Sequence, residues 1–238
     1  MTPKVMPVMV SFFTYGWTQQ CIRCFQDWFP ELKVLVVDNN PTHKEQMKHW
    51  NWCGNPRSKW NNFYPYCLAE REWLEQQDNV ILIKPDKLND RQTRHGEAID
   101  LAVDWCKNQN FDIMLCIEPD VIIKDVIWFY DLLEPILDND MWFTGVEMFS
   151  KNKNEIHTKH TVKPCPIMVR TDKIEWSFND VIVDRKYYDF SHYVYHKFSE
   201  RGRAKRFKKD FKGFIHSWSG SYTNFISNQR HCPYVTFL

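Results

Sequence analysis

No apolar run in this sequence approaches the ~18 residues that a membrane-spanning helix requires, so no transmembrane segment is expected. Neither sign of charge is in excess. Thirty-one Lys and Arg stand against thirty Asp and Glu, which removes the global field that recruits nucleic acid and leaves only the local basic stretch from Arg201 to Lys209. A short run of that kind is ordinarily a solvated face. No HExxH or comparable close pair of ligands occurs, which argues against a zinc hydrolase. The lone CxxC, Cys21 and Cys24, has no second pair at zinc spacing, which argues against structural zinc. Between Ser11 and Trp17 stand one glycine and neither Lys nor Arg, so no Gly-rich, basic phosphate loop follows the first apolar run. Met1 to Pro7 is too short for the apolar core of a secretory signal. With eight scattered cysteines read as small buried side chains, a reducing compartment is expected: the cytoplasm, free or peripheral to a membrane. No internal repeat, low-complexity tract or linker divides the chain.

What is present points to one α/β domain. At 238 residues and 43% hydrophobic content the chain can bury one substantial core, so residues 1–238 are expected to form a single domain. Val5 to Phe13 is a continuous apolar run, and helical spacing follows at Cys21, Ile22, Phe25 and Trp28. Leu32 to Val37, Val80 to Ile83 and Ile113 to Ile117 read as further buried strands, and Gly96 to Trp105 as a helix through Ile99, Ala102 and Val103. Strands apolar throughout and separated by helices indicate a mostly parallel, Rossmann-like sheet covered on both faces. Ile127 to Leu137 is a predicted helix, Trp142 to Phe149 a strand, and Asp189 to Arg201 a helix ended by Gly202. Trp50 to Tyr66 holds too many polar residues and rings for a simple helix and reads as an insertion.

In such sheets ligands bind beyond the carboxyl ends of the strands. Three of the four ends carry distinctive polar residues: Ser11 to Thr14, Asp38-Asn39-Asn40 and Glu118-Pro119-Asp120. In the last, two carboxylates at i and i+2 can turn toward one hard cation, Mg2+ or Mn2+, while a pyrophosphate supplies the remaining oxygens. Read alone, the same triplet is closer to an ordinary turn of two solvated acids around a proline than to a motif.

The order of these motifs resembles that of GT-A type glycosyltransferases, the family 2-like enzymes in particular, over roughly Val5 to Phe149. The resemblance implies a nucleotide-binding half over residues 1–120 and an acceptor-side half over 121–238. Phe12, Thr14 and Tyr15 would lie at the nucleotide base, and Asp38 would hold base or ribose. Arg94, in Arg94-His95-Gly96-Glu97, would contact the nucleotide from the loop before the triplet. Asp120 matches the member of a DXD-like triplet that binds the cation, and Glu118, where the family usually has Asp, is a second contact to metal or ribose. The implied donor is a UDP- or GDP-sugar, and the implied acceptor a hydroxyl, as of a glycan.

Toward the C-terminus, Gly213-Phe214-Ile215-His216-Ser217-Trp218 resembles a segment that returns a histidine to the site, where His216 could complete the metal shell. Transfer with inversion needs a base at the acceptor hydroxyl. The resemblance points to Asp189, with Asp180 and Asp184 behind it, although Asp189 would equally serve as a helix N-cap. Lys163 to Asp172 resembles the lead into the acceptor region, where Trp142, Trp176, Tyr187 and Tyr188 could stack on a sugar or simply pack. Two other classes compete with this reading. A sugar nucleotidyltransferase shares the early topology but would carry the basic Gly-rich loop missing here. A non-catalytic carbohydrate-binding protein would explain an aromatic content of 16% but has little use for an acidic triplet at a strand end.

Overall fold

Period-two alternation along the apolar runs divides the interior into two halves. Met6, Val8, Val10, Leu35, Val37, Met114 and Cys116 face one side of the sheet, while Met9, Val34, Val36, Ile113 and Leu115 face the other. Both sides are dry because helices cover both. The computed structural model describes residues 3–12, 14, 16–40, 64–85, 94–138, 140–148, 161–177, 190–207 and 214–216.

In chain order the elements are β1 (Val5–Ser11), α1 (Trp17–Trp28), β2 (Val34–Asp38), α2 (Tyr64–Glu75), β3 (Val80–Ile83), α3 (Arg94–Asn108), β4 (Ile113–Cys116) and β5 (Val121–Ile123). There follow α4 (Ile127–Asp138), β6 (Phe143–Met148), β7 (Thr161–Arg170), α5 (Phe190–Ser199), β8 (Ala204–Phe207) and β9 (Phe214–His216). Seven strands form one sheet in the order β3-β2-β1-β4-β7-β6-β8, and β5 pairs with β9 in a separate ribbon. Strands β3, β2, β1 and β4 are mutually parallel. β7 enters antiparallel between β4 and β6, and β8 lies parallel to β6. The α/β, mostly parallel sheet expected from the sequence is therefore present, with one reversed strand that composition does not reveal.

Helix α1 buries Trp17, Thr18, Cys21, Ile22 and Phe25, a 3.6-period stripe facing the sheet beside α4 residues Trp128, Phe129 and Leu132. Phe25 is wholly buried, and its truncation to Ala would cost about 3–5 kcal/mol. On the other face, Ala98, Ile99, Ala102 and Val103 of α3 and Val194 and Phe198 of α5 complete the core. Helix α5 ends at Ser199, short of the expected Arg201, and the expected Gly202 closes it. Gly202 has φ 66°, its N–H donates to the Ser199 carbonyl at 2.9 Å, and the Arg203 N–H donates to Phe198 at 2.8 Å. Those two bonds are a Schellman cap, in which only glycine is unstrained.

Two differences from the expected boundaries bear on the site. β1 ends at Ser11, two residues early, because its ladder with β2 closes at Ser11 opposite Asp38. Residues 64–66, read as part of an insertion, open α2. The segment Lys163 to Arg170 belongs to β7, a central strand of the sheet. The basic stretch contains β8, where Arg206 lies over the Tyr195 ring and Lys205 over Phe207. Among the described residues no helix is long and apolar enough to cross a membrane, and Cys21, Cys24, Cys67, Cys106 and Cys116 are free thiols.

Candidate functional site

The three polar strand ends meet on one edge of the sheet. Ser11 stands in register with Asp38, and the Asn39 N–H donates to the Ser11 carbonyl at 2.9 Å. On the other side of β1, the Ile117 N–H donates to Val8 at 2.9 Å, so the chain leaving β4 runs beside the end of β1. The acidic triplet that follows is a turn. The Val121 N–H donates to the Glu118 carbonyl at 3.2 Å, with Pro119 at the second position, where its fixed φ suits the bend. This turn leaves Glu118 half-buried and draws Asp120 inward to 1% exposure. From α1 below, the Cys21 thiol donates to the Glu118 carbonyl at 3.7 Å. Burial pushes this thiol well above its usual range, and Cys24 and Asp120 push it further, so Cys21 stays protonated and acts as packing. β5 leaves the turn to pair with β9, where Val121 stands opposite His216. The ribbon thus brings the His216 backbone level with the residue after Asp120.

The connection from β1 to α1 is tight. The N–H groups of Trp17 and Thr18 both donate to the Thr14 carbonyl, at 2.9 and 3.0 Å, and Gly16 takes φ 81° to make the reversal. The single glycine of this loop therefore serves a turn. The Thr14 hydroxyl accepts from the Phe12 N–H at 3.3 Å and exchanges a 2.7 Å hydrogen bond with the Thr18 hydroxyl.

Two residues of this edge escaped the sequence reading, and both lie on α2. Glu70 is fully buried, and its Oε1 accepts from the Ser11 hydroxyl at 2.8 Å. Arg71 pairs through Nε with Oδ2 of Asp38, and its second terminal nitrogen donates to the Asn40 carbonyl at 3.4 Å. Asn40 closes the circuit: its side-chain amide donates to Asp38 Oδ1 and to the Ser11 hydroxyl, each at 2.9 Å. Asp38, at 2% exposure, thus has both oxygens engaged inside the protein. Burial pushes Glu70 up to about 7; nearby Asp38 adds to this, and the hydroxyls of Thr18, Ser11 and Thr14 offset part of it. Cys67, one turn before Glu70 and Arg71, is also raised by burial. A hint was available in the spacing Cys67, Glu70, Arg71, Leu74, which is helical but half charged.

Of the residues singled out in the sequence, Phe12, Thr14, Asp38, Glu118 and Asp120 lie on this edge. Arg94 begins α3 and His216 ends β9, but their side chains lie outside the described part of the structure. Tyr15, Asp180, Asp184, Tyr187, Tyr188 and Asp189 lie outside the described residues altogether. Trp142 and Trp176 belong elsewhere. The Trp142 carbonyl accepts from Arg170 at 2.9 Å, and Arg170 pairs with Ile113 at the start of β4, the sheet edge opposite the triplet. Both indoles pack on Phe198, so the sugar-stacking role considered for them gives way to core packing. Among the described residues no three His, Cys, Asp or Glu side chains gather as a metal shell. Asp120 and Glu118 nevertheless supply two hard oxygen donors on one turn, a donor set that fits Mg2+ or Mn2+ sharing its shell with a diphosphate.

No family model matches the sequence, and no curated protein matches it. Solved structures share the fold. The 4-diphosphocytidyl-2C-methyl-D-erythritol synthase from Anaerococcus prevotii is similar at a TM-score of 0.57 and 7% identity, covering 94% of this chain and 96% of that one. A Bacillus anthracis protein named as a glucose-1-phosphate thymidylyltransferase gives 0.53 at 9% identity, over 98% and 97% of the two chains. A mannosyltransferase from Pyrobaculum calidifontis, solved with GDP-Man and Mn2+, gives 0.50 at 9% identity, over 88% of this chain and 56% of that one. The fold is therefore GT-A-like, an α/β architecture these proteins share with this chain.

Proposed function

We propose that this chain is a metal-dependent glycosyltransferase that moves a sugar from a UDP- or GDP-sugar to an acceptor hydroxyl of a glycan or similar molecule. The observation that supports it most is Asp120, drawn inward by the Glu118-Pro119-Asp120 turn on the same sheet edge as Ser11 and Asp38. Ser11, Phe12 and Thr14 form the floor for the nucleotide, with Asp38 holding the neighbouring loop in shape. Arg94, opening α3, contributes positive charge toward the nucleotide. Asp120 is the principal metal ligand, Glu118 the second contact, and His216 a third donor delivered by β9. A bound Mn2+ or Mg2+ would stabilise the departing nucleoside diphosphate. Asp189 takes the proton from the acceptor hydroxyl as the glycosidic bond forms.

The fold is shared with a 4-diphosphocytidyl-2C-methyl-D-erythritol synthase and with a protein named as a glucose-1-phosphate thymidylyltransferase, so nucleotidyl transfer is the second reading. The loop after β1 weighs against it: from Ser11 to Trp17 there is no Lys or Arg, and Gly16 is used for the turn into α1. A panel of nucleotide sugars tested for hydrolysis and for thermal stabilisation, with and without Mn2+, separates the readings. A ligand that binds only the folded state stabilises it by RT ln(1 + [L]/Kd), about 2.7 kcal/mol at a hundredfold excess over Kd. Stabilisation by at least one nucleotide sugar with Mn2+, and slow release of its nucleoside diphosphate, is expected. Pyrophosphate release from a nucleoside triphosphate and a sugar phosphate would instead establish nucleotidyl transfer.

A further inference from the structure

Helix α2 places two adjacent charged residues beneath two different strand ends. Arg71 holds the β2 end through Asp38 and the Asn40 carbonyl, and Glu70 holds the β1 end through Ser11. Asn40 joins the two by donating to Ser11 at 2.9 Å. Thr14 extends the chain, with its hydroxyl 3.4 Å from that of Ser11 and 2.7 Å from that of Thr18. A buried carboxyl is costly to keep in a core, and Glu70 Oε2 makes no hydrogen bond to offset that cost among the described residues. Packing does not explain its presence, since a leucine at this helix position would fill similar space without the penalty.

We propose that Glu70 is a positioning residue for nucleotide binding, fixing the end of β1 and the turn into α1 through Ser11, Thr14 and Thr18 while touching no ligand itself. This inference rests on the reading of the edge as a nucleotide-sugar site. The physical logic is that Ser11, having accepted from Asn40, has one proton to place, and Glu70 Oε1 decides where it points. That choice fixes the Ser11 side chain and with it the hydroxyls and N–H groups of the loop. The hydroxyls favour the ionised acid, but burial and the neighbouring Asp38 charge outweigh them and hold Glu70 in its uncharged form, the one this packing accommodates. Among the described residues, the charged and titratable neighbours of Glu70 are Asp38 from β2 and Arg71 and Cys67 on α2, while β1, α1 and the turn between them offer the hydroxyls of Ser11, Thr14 and Thr18. Ionising Glu70 sets a second negative charge beside Asp38 and reorganises the hydroxyl chain. Nucleotide affinity should therefore weaken as Glu70 loses its proton.

The test is calorimetric titration of UDP and GDP, with Mn2+, into the wild-type chain, Glu70→Gln and Glu70→Met at pH 6 and pH 8. A phosphate group titrates in the same range, so the decisive quantity is the difference between wild type and Glu70→Gln. Glu70→Gln, which keeps both an acceptor and a donor, should bind as the wild type does at pH 6. At pH 8 it should bind roughly tenfold more tightly than the wild type, and Glu70→Met should lose roughly tenfold at pH 6, the scale of one buried hydrogen bond. Melting curves establish which variants are folded, and should Glu70→Met fail to fold, the Glu70→Gln comparison decides alone. Wild type and Glu70→Gln with parallel affinities at both pH values overturn the inference while leaving the functional reading intact. A folded wild type that binds neither nucleotide overturns both.

Discussion

Arg71 and Asp38 form an ion pair in which the carboxylate side chain is 1% exposed and the guanidinium 13%. A pair that deep is held together less by its own attraction than by the penalty for breaking it, because a lone buried charge has nowhere to find water. It joins α2 to the end of β2, and so fixes the wall of the candidate nucleotide site.

Arg71→Met should therefore destabilise the chain by about 3–5 kcal/mol, the usual cost of stranding one member of a buried pair. Urea denaturation of Arg71→Met and of the Asp38→Asn/Arg71→Met double variant checks it. The double variant should recover a substantial part of the loss, since the stranded charge is then gone. Equal stabilities for wild type and Arg71→Met would contradict the pairing.

Glu70 should leave a signature in the pH dependence of stability. Between its ordinary value of 4.5 and its raised value of about 7, the folded chain holds a proton that the unfolded chain has released. Stability thus falls as pH rises through that window and levels off above it, by roughly 3 kcal/mol in all. Glu70→Gln has no such proton. Its stability relative to wild type should improve by about that amount between pH 4 and pH 8, and parallel curves from chemical denaturation would refute the raised value.

Asp189→Asn separates its two readings. If Asp189 is the base, the variant melts like the wild type and transfers sugar at least about a hundredfold more slowly. If it is an N-cap, Asn serves nearly as well, and both stability and turnover are retained.

His216→Ala should weaken the dependence of turnover on metal, raising the Mn2+ concentration needed for half-maximal rate by roughly tenfold or more. A metal titration identical to the wild type's would remove His216 from the shell.

The parallel half of the sheet was readable because β1, β2 and β4 are buried on both faces and so appear as unbroken apolar runs. The direction of β7 was not, since an antiparallel strand within a covered sheet has the same composition as a parallel one. Helix α2 was hidden for a different reason: its inward positions include Glu70 and Arg71, so the pattern lacks the apolar stripe that marks a helix. At the site, the sequence placed Ser11, Asp38, Glu118 and Asp120 on one edge. It could not indicate that Asp38 turns inward to Arg71, because the partner lies 33 residues away across a connection of unreadable pattern. Of the two readings left open for Trp142 and Trp176, packing is the one the structure favours: ring contacts at the far end of the sheet, with cations over Trp142, account for the indoles.

The central claim is that Asp120 anchors a cation that in turn binds a nucleoside diphosphate. Calorimetric titration of UDP and GDP into the wild-type chain and Asp120→Asn, each with and without Mn2+, tests it most directly. Mn2+ should tighten binding of one nucleotide to the wild type by at least about tenfold, and Asp120→Asn should lose that gain while melting within a few degrees of the wild type. A wild-type affinity indifferent to Mn2+, or an Asp120→Asn variant that responds to it in full, would contradict the account.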